Sequence, residues 1–306
     1  GISGGIDSAV NAALYRSVLP AENLLLVNTP TRFNSETTKN LARRLAENLE
    51  APFVELPIDS FINETVSQID DLQIPSPSDM KTLHLTGFMK ENIQARDRST
   101  RILATLSSAF GGIFTCNANK TELTVGYGTL YGDLSGALAA TADLWKHQVY
   151  ALGRTLNRYF DKNMIPDEIF TVRPSAELSE NQDITKGLGD PLIYEYHDFL
   201  FRSFIEPWNR ITPEEILTWY SKNCLEEKLG TPVSIKSIFK THHDFITDLE
   251  KWWNLFAGFA VAKRIQAPPL LAVSRRPYGY DLRESQIAPY YTDTYIHLKN
   301  SLLSNG

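Results

Sequence analysis

Gly1-Ile2-Ser3-Gly4-Gly5-Ile6-Asp7-Ser8 opens the chain, and Ala9 to Leu19 follow it with apolar residues at helical spacing (Val10, Leu14, Val18). This pattern predicts a glycine-rich turn feeding a helix. Adjacent glycines let several backbone N–H groups converge, and the helix N-terminus adds partial positive charge, which together suit phosphate. Ser3 and Ser8 add hydroxyl donors. A carboxylate, Asp7, would repel a bare phosphate, so it makes sense where a divalent cation, expected to be magnesium, bridges it to the ligand. A plain helix capped by Ser3 is the simpler alternative. The chain has neither a Walker A Gly-Lys-Ser/Thr run nor a GxGxxG fingerprint. A loop of this kind is expected to follow a buried strand. Only two residues precede Ser3, so the sequence is expected to be part of a longer polypeptide or to be numbered from inside its domain.

Outward from the loop, short apolar runs alternate with helical patterns. Asn23 to Thr29 reads as a buried parallel strand, 35–50 as a helix capped by Asn34 or Ser35, and Phe53 to Ile58 as a second strand. Residues 70–79 are polar and proline-bearing and read as a surface loop. A long helix is expected from Leu85 to Phe110, a third strand at Ile113 to Cys116, and a helix from Asp143 to Tyr159 with Asp143 as its cap. The fold class is therefore α/β, a doubly wound parallel sheet over residues 1–160 with its ligand crevice at the strand C-terminal ends. Residues 161–306 change to helical segments near 193–205, 213–223, 235–239 and 245–266, a helical C-terminal extension. Trp252, Trp253, Phe256 and Phe259 fit a core or a subunit interface better than a base-stacking platform.

Composition narrows the function classes. With 42% hydrophobic and 22% charged residues, the 306-residue chain has ample core material, and disorder is excluded as its main state. Thirty Lys and Arg against 36 Asp and Glu give a formal charge of −6, which argues against nucleic acid or an anionic membrane as a general partner. No apolar run is long enough to span a bilayer and no signal-peptide pattern is seen, so a cytoplasmic protein is expected. Cys116 and Cys224 stand alone and read as reduced, buried thiols.

Several further stretches carry chemistry. Asn92 and Arg96 lie four apart on one helix face, either salt-bridged or held for an anionic ligand. The strand ending at Cys116 runs into Asn117-Ala118-Asn119-Lys120-Thr121-Glu122, where Glu122 is either a helix-start carboxylate or a second metal ligand. Gly126, Gly128, Gly132-Asp133 and Gly136 form a flexible stretch of the kind found at binding sites. Lys146 by itself reads as a surface lysine, and Ser274 to Tyr280 reads equally as a solvated tail or as a phosphate and ring contact.

Taken together, Ser3 to Ser8, Glu91 to Arg96, Asn119 to Glu122, Val125-Gly126-Tyr127, Tyr131-Gly132-Asp133 and Pro174-Ser175-Ala176-Glu177-Leu178 resemble the NAD synthetase family, within the N-type ATP pyrophosphatases (an adenine nucleotide alpha-hydrolase-like, Rossmann-like fold). The resemblance runs from residue 1 to about residue 286 and is nearest to the synthetase domain of the glutamine-dependent branch. It implies an ATP-dependent amidation. The nicotinate carboxylate of deamido-NAD attacks the α-phosphate, pyrophosphate leaves, and ammonia displaces AMP. By the same resemblance, Gly1, Ile2, Ser3, Gly4, Gly5, Ile6, Asp7 and Ser8 hold ATP together with Asn117, Lys146 and Ser175. Asp7 and Glu122 bind magnesium, and Asp7 and Lys146 carry the catalysis. Asn92, Arg96, Asp133, Lys263 and Arg264 meet the dinucleotide, and Thr29 to Arg32 surround adenine.

The family commonly has Thr at Asn117 and Gly at Ala118; its ammonia-dependent branch has Lys at Leu130 and Asp at Ala137, so this chain sides with the glutamine-dependent branch. That branch carries an N-terminal glutaminase domain, absent from this sequence. Homodimers, with residues 161–306 supplying dimer and substrate contacts, are also expected. The competing readings are another amidase of the same type, such as a GMP-synthetase-like enzyme, a tRNA thiolase, and a regulatory domain that binds ATP without splitting it. No paired cysteines support thiolation, and a sensor has no need of two metal carboxylates.

Overall fold

The computed structural model describes residues 1–182, 184–186, 189–277 and 289–304. Helix α1, Ile6–Arg16, begins three residues earlier than the apolar spacing predicts, because the Gly5 backbone is extended and Ser8 Oγ donates to the Gly5 carbonyl at 2.9 Å. Strands β1 (Leu26–Asn28) and β2 (Phe53–Glu55) pair in parallel, Leu26 opposite Phe53 and Asn28 opposite Glu55. Between them runs α2, Glu36–Leu49, capped by Ser35 Oγ, which accepts the Thr38 N–H. Its buried face of Leu41, Ala42, Leu45, Ala46 and Leu49 packs toward β1. The molecule is therefore α/β with a parallel strand pair.

Four expectations are corrected. Ile113 to Cys116 is not a sheet strand: its bonds run to a neighbouring irregular segment, from Cys116 N–H to Leu138 O at 2.9 Å and from Ala137 N–H to Phe114 O at 2.9 Å. Residues 70–79 are not simply a loop. They hold β3 (Gln73–Pro75), which pairs antiparallel with β4 (Met80–Thr82) around the Ser76–Asp79 turn. Asp143 does not cap the helix that follows it. That helix starts at Lys146, and Asp143 points instead to Lys120 and Ser274. The expected helix over 245–266 is two, His242–Ala257 and Ala260–Gln266, broken at Gly258, whose φ/ψ of −98/−122 no helix accommodates.

The remaining elements are helical, and three of them, over 59–69, 225–229 and 293–304, are not among those expected from the sequence. Helix α3, Asp59–Ile69, precedes β3. The long helix runs as α4 (Gly87–Arg96), a π-helical stretch (Asp97–Leu103) and α5 (Ala104–Phe110). Next come α6 (Lys120–Val125), α7 (Lys146–Tyr159), α8 (Tyr194–Ile205), α9 (Pro213–Ser221), α10 (Leu225–Leu229), α11 (Ile235–Ile238), α12 (His242–Ala257) and α13 (Ala260–Gln266). A last helix covers Asp293–Ser304.

Two apolar cores result. One joins α1, α2, β1 and α7 through Val10, Leu45, Leu26 and Val149. The other gathers Cys116, Leu123 and Trp145 with α8, α9 and α12, so residues on both sides of position 160 build it. Trp252, Trp253 and Phe256 lie in this second core, where Phe204 meets Trp253 edge-on at 5.2 Å, while Phe259 is exposed. Burial pushes the Cys116 thiol up to about 12, so that thiol is inert. Tyr278, Gly279 and Tyr280 lie outside the described residues.

Candidate active site

The Gly1–Ser8 loop turns on its serines. Ser3 N–H donates to Ser8 Oγ at 3.1 Å and Gly5 N–H donates to Ser3 Oγ at 3.3 Å. On one side Ile2 N–H bonds Val27 O of β1 at 2.8 Å, and on the other Asn117 Nδ2 donates to Gly1 O at 2.7 Å. Gly4 has φ +88° and lies against α2, where an added Cβ would stand 2.1 Å from the Thr38 carbonyl oxygen. No other residue fits both the dihedral and the space.

Asp7, in the first turn of α1, faces two elements brought from elsewhere in the chain. Asn119 caps α6 by accepting the Glu122 N–H at 3.1 Å, and its Nδ2 donates to Asp7 Oδ1 at 2.9 Å. Glu122 returns its carboxylate to the Asn119 N–H at 3.2 Å, a capping box. From the start of α7, Lys146 Nζ lies 2.5 Å from Asp7 Oδ2 and 3.8 Å from Glu122 Oε1. Lys146 is 2% exposed. Burial alone would lower its pKa, but the facing Asp7 and Glu122 more than reverse this, so the ammonium stays charged. Glu122 is pushed up to about 8, first by burial and then by the charge of Asp7, against the pull of Lys146.

Asp7, Glu122 and Lys146 line a cavity of about 280 Å³. Seven of the eight loop residues line it, all but Gly4, together with Asn117, Glu122, Asp133, Lys146, Ser175 and Thr29. Asp133 is anchored by the Thr129 N–H at 2.6 Å, and burial raises its pKa. Ser175 Oγ donates to Gln182 O at 2.6 Å and accepts the Glu177 N–H at 3.2 Å. Asn92, Arg96, Lys263 and Arg264 do not line the cavity. Asn92 Oδ1 accepts the Thr129 hydroxyl at 2.7 Å, and Arg96 Nε donates to Leu130 O at 3.2 Å, so both brace the glycine-rich stretch. Lys263 donates to Gly126 O at 2.6 Å. Arg264 is buried and donates to Thr124 O at 2.5 Å and Phe256 O at 3.0 Å.

Sequence reading missed Arg98, Glu177 and Asp190. Arg98 lines the cavity and donates to Thr29 O at 3.1 Å, and burial lowers its pKa to about 10. Its neighbour Arg96 falls within the family-like block Glu91 to Arg96, whereas Arg98 lies in the π-helical stretch, a twist that no 3.6-residue pattern predicts. Glu177 takes the Thr38 hydroxyl at 2.7 Å and the Ser35 N–H at 3.2 Å, tying the Ser175 loop to the start of α2. Asp190 accepts the hydroxyls of Tyr127 at 3.1 Å and Tyr194 at 3.0 Å. Those side chains are brought together only by the fold.

A glycine loop at a helix N-terminus, with a lysine ammonium set between Asp7 and Glu122, can bind and polarise a polyphosphate. The family model described as NAD synthase matches residues 1–237. The chain belongs to the NAD synthase family. It is 33% identical over 216 residues to the glutamine-dependent NAD(+) synthetase of Thermotoga maritima, an alignment covering 71% of this chain and 35% of that protein. To the NH(3)-dependent NAD(+) synthetase of Helicobacter hepaticus it is 33% identical over 230 residues, 75% of this chain and 78% of that one. The chain thus spans about a third of the glutamine-dependent relative and most of the ammonia-dependent one. Its fold matches the crystal structure of a glutamine-dependent NAD(+) synthetase from Cytophaga hutchinsonii with a TM-score of 0.65 at 18% identity, over 98% of this chain and 51% of that one.

Proposed function

We propose that the chain is an ATP-dependent ligase that amidates deamido-NAD to NAD through an acyl-adenylate, releasing AMP and pyrophosphate. The observation that carries this reading is Lys146 Nζ held between Asp7 and Glu122 at the mouth of the Gly1–Ser8 loop. The loop amides, with the hydroxyls of Ser3 and Ser8, bind the phosphates, and Lys146 remains protonated against the α-phosphate. The nicotinate carboxylate forms a bond to the α-phosphorus as the bond to the bridging oxygen breaks and pyrophosphate leaves. Neutral ammonia then uses its lone pair on the acyl carbon, AMP departs, and a proton is released. Asn117 and Ser175 complete the ATP site, and Asp133, with Asn92, Arg96, Lys263 and Arg264 behind the glycine-rich stretch, shapes the dinucleotide side.

The donor set suits magnesium, because Asp7 and Glu122 present hard carboxylate oxygens that already bracket a cation, the Lys146 ammonium. Bound there, the ion would neutralise phosphate charge and stabilise the leaving pyrophosphate. In our reading residues 1–160 form the ATP-pyrophosphatase core of a doubly wound sheet, and 161–306 a helical part with dimer and substrate contacts. The parallel β1–β2 pair and the Ile2 to Val27 bond support the sheet. Ammonia comes free or from a glutaminase domain; Leu130 and Ala137 favour the second. The protein works in the cytoplasm, as a homodimer or larger homo-oligomer. No helix among the described residues is long and apolar enough to cross a membrane.

The test is to incubate the full-length protein with ATP, magnesium and ammonium, offer deamido-NAD or xanthosine monophosphate, and measure AMP. AMP formed with deamido-NAD alone is expected. AMP with xanthosine monophosphate would identify a GMP-synthetase-like enzyme, and none with either substrate would leave an ATP-binding regulatory domain.

A further inference from the structure

The first N–H groups of a helix have no partner within it and need a cap. Helix α7, which carries Lys146 at its first position, follows Trp145, a residue without a capping oxygen, and the nearest carboxylate, Asp143, is engaged by Lys120 and Ser274. Its cap comes from two other helices. Thr121 Oγ1, on α6, accepts the Lys146 N–H at 3.1 Å and donates its own proton to Asp198 Oδ1 at 2.5 Å. Asp198, on α8, takes the next unpaired donor, the His147 N–H at 2.9 Å, on Oδ2, where His147 Nδ1 also bonds at 2.8 Å. Thr121 is 0% and Asp198 1% exposed, so water cannot replace either bond.

We propose that Thr121 and Asp198 are positioning residues that set the start of α7 so that Lys146 meets Asp7 and Glu122 together. One hydroxyl fixes the spacing of two helix starts, because Thr121 directly precedes Glu122 on α6 and bonds Lys146 on α7. Only a hydroxyl serves there, since it must accept from one side and donate to the other. Asp198 supplies the negative end that the His147 N–H and the Thr121 hydroxyl converge on, and through Thr121 it links the helical part to the lysine. A displacement of reacting groups by about 1 Å costs on the order of a hundredfold in rate, which is the scale at which such a clamp matters.

The test uses the full-length protein and three variants: Thr121→Val, which keeps shape and loses both bonds, Thr121→Ser, which keeps the hydroxyl, and Asp198→Asn, the second variant should Thr121→Val fail to fold. The turnover arm rests on the ligase reading. Thr121→Val is expected to lower kcat by about a hundredfold with KM for ATP little changed, and Thr121→Ser to stay near wild type. The second arm does not depend on any substrate. Labelling of Lys146 by trinitrobenzenesulfonate, read by peptide mass spectrometry, should rise in Thr121→Val and Asp198→Asn but not in Thr121→Ser. Equal Lys146 labelling in wild type and Thr121→Val overturns the clamp, as does a kcat of wild-type size in Thr121→Val or an equal loss in Thr121→Ser. A wild-type protein that forms no AMP from ATP and deamido-NAD overturns the ligase reading instead, and the labelling arm then decides the clamp alone.

Discussion

At position 146 a lysine that the sequence leaves between a surface cation and a nucleotide contact is buried against two carboxylates, and its charge is stabilised by them. In the proposed reaction, replacing it with Ala removes the cation that would balance the growing phosphate charge. We expect Lys146→Ala to lower the rate of AMP release about a hundredfold while circular dichroism shows the fold retained, and a rate equal to wild type would remove Lys146 from the chemistry. Glu122 gives a pH prediction. Its folded pKa, pushed up to about 8, lies above the ordinary glutamate value of 4.5, so between those values the folded chain holds a proton that the unfolded chain has lost. Stability from this group is therefore full below about pH 4.5 and falls as pH rises through about 8. In metal-free protein Glu122→Gln should raise Tm relative to wild type more at pH 8.5 than at pH 5. A pH-independent Tm difference would show that burial and Asp7 do not penalise the Glu122 charge.

Element by element, the starts that carry their own caps are the ones a linear reading places well. Ser35 caps α2 and Asn119 caps α6 through side chains three positions before the N–H groups they accept, and residue type and spacing named Asn34 or Ser35 for the first. The start of α7 could not be, because its caps, Thr121 and Asp198, come from 25 and 51 residues away. The β3–β4 hairpin was hidden for a different reason: its strands are three residues long and exposed, so no apolar alternation marks them. The glycine loop is the element with the least tolerance. Gly4→Ala places a Cβ in a left-handed residue against the Thr38 carbonyl, costing more than about 1 kcal/mol from the dihedral alone. We expect calorimetry to show ATP binding lost, while unchanged affinity would mean the loop has another conformation that binds phosphate.

On the scale of the whole molecule, the site depends on contacts between distant parts of the chain. Lys120 and Asp143 form an ion pair at 2.9 Å with neither side chain exposed, and Asp143 also takes the N–H groups of Val273 at 2.7 Å and Ser274 at 2.6 Å. Thus the segment after α13 is docked on the same frame that holds α6 and α7. Lys120→Met leaves a buried carboxylate without its cation and should cost about 3–5 kcal/mol in urea denaturation, with loss of 273–276 docking seen by hydrogen exchange. A change under about 1 kcal/mol would show that the pair contributes nothing net. The sequence by itself determined the glycine-rich turn ahead of α1, the helix between the two parallel strands and the acidic balance of the chain, because glycine dihedrals, apolar periodicity and charge are set locally along the chain. Only the tertiary structure decided that the buried Lys146 ammonium sits between Asp7 and Glu122, that Arg264 is spent on backbone carbonyls, and that Arg98 turns into the cavity. Those outcomes depend on which helices pack together and which polar groups are left without water, quantities fixed by distances between residues up to 140 positions apart.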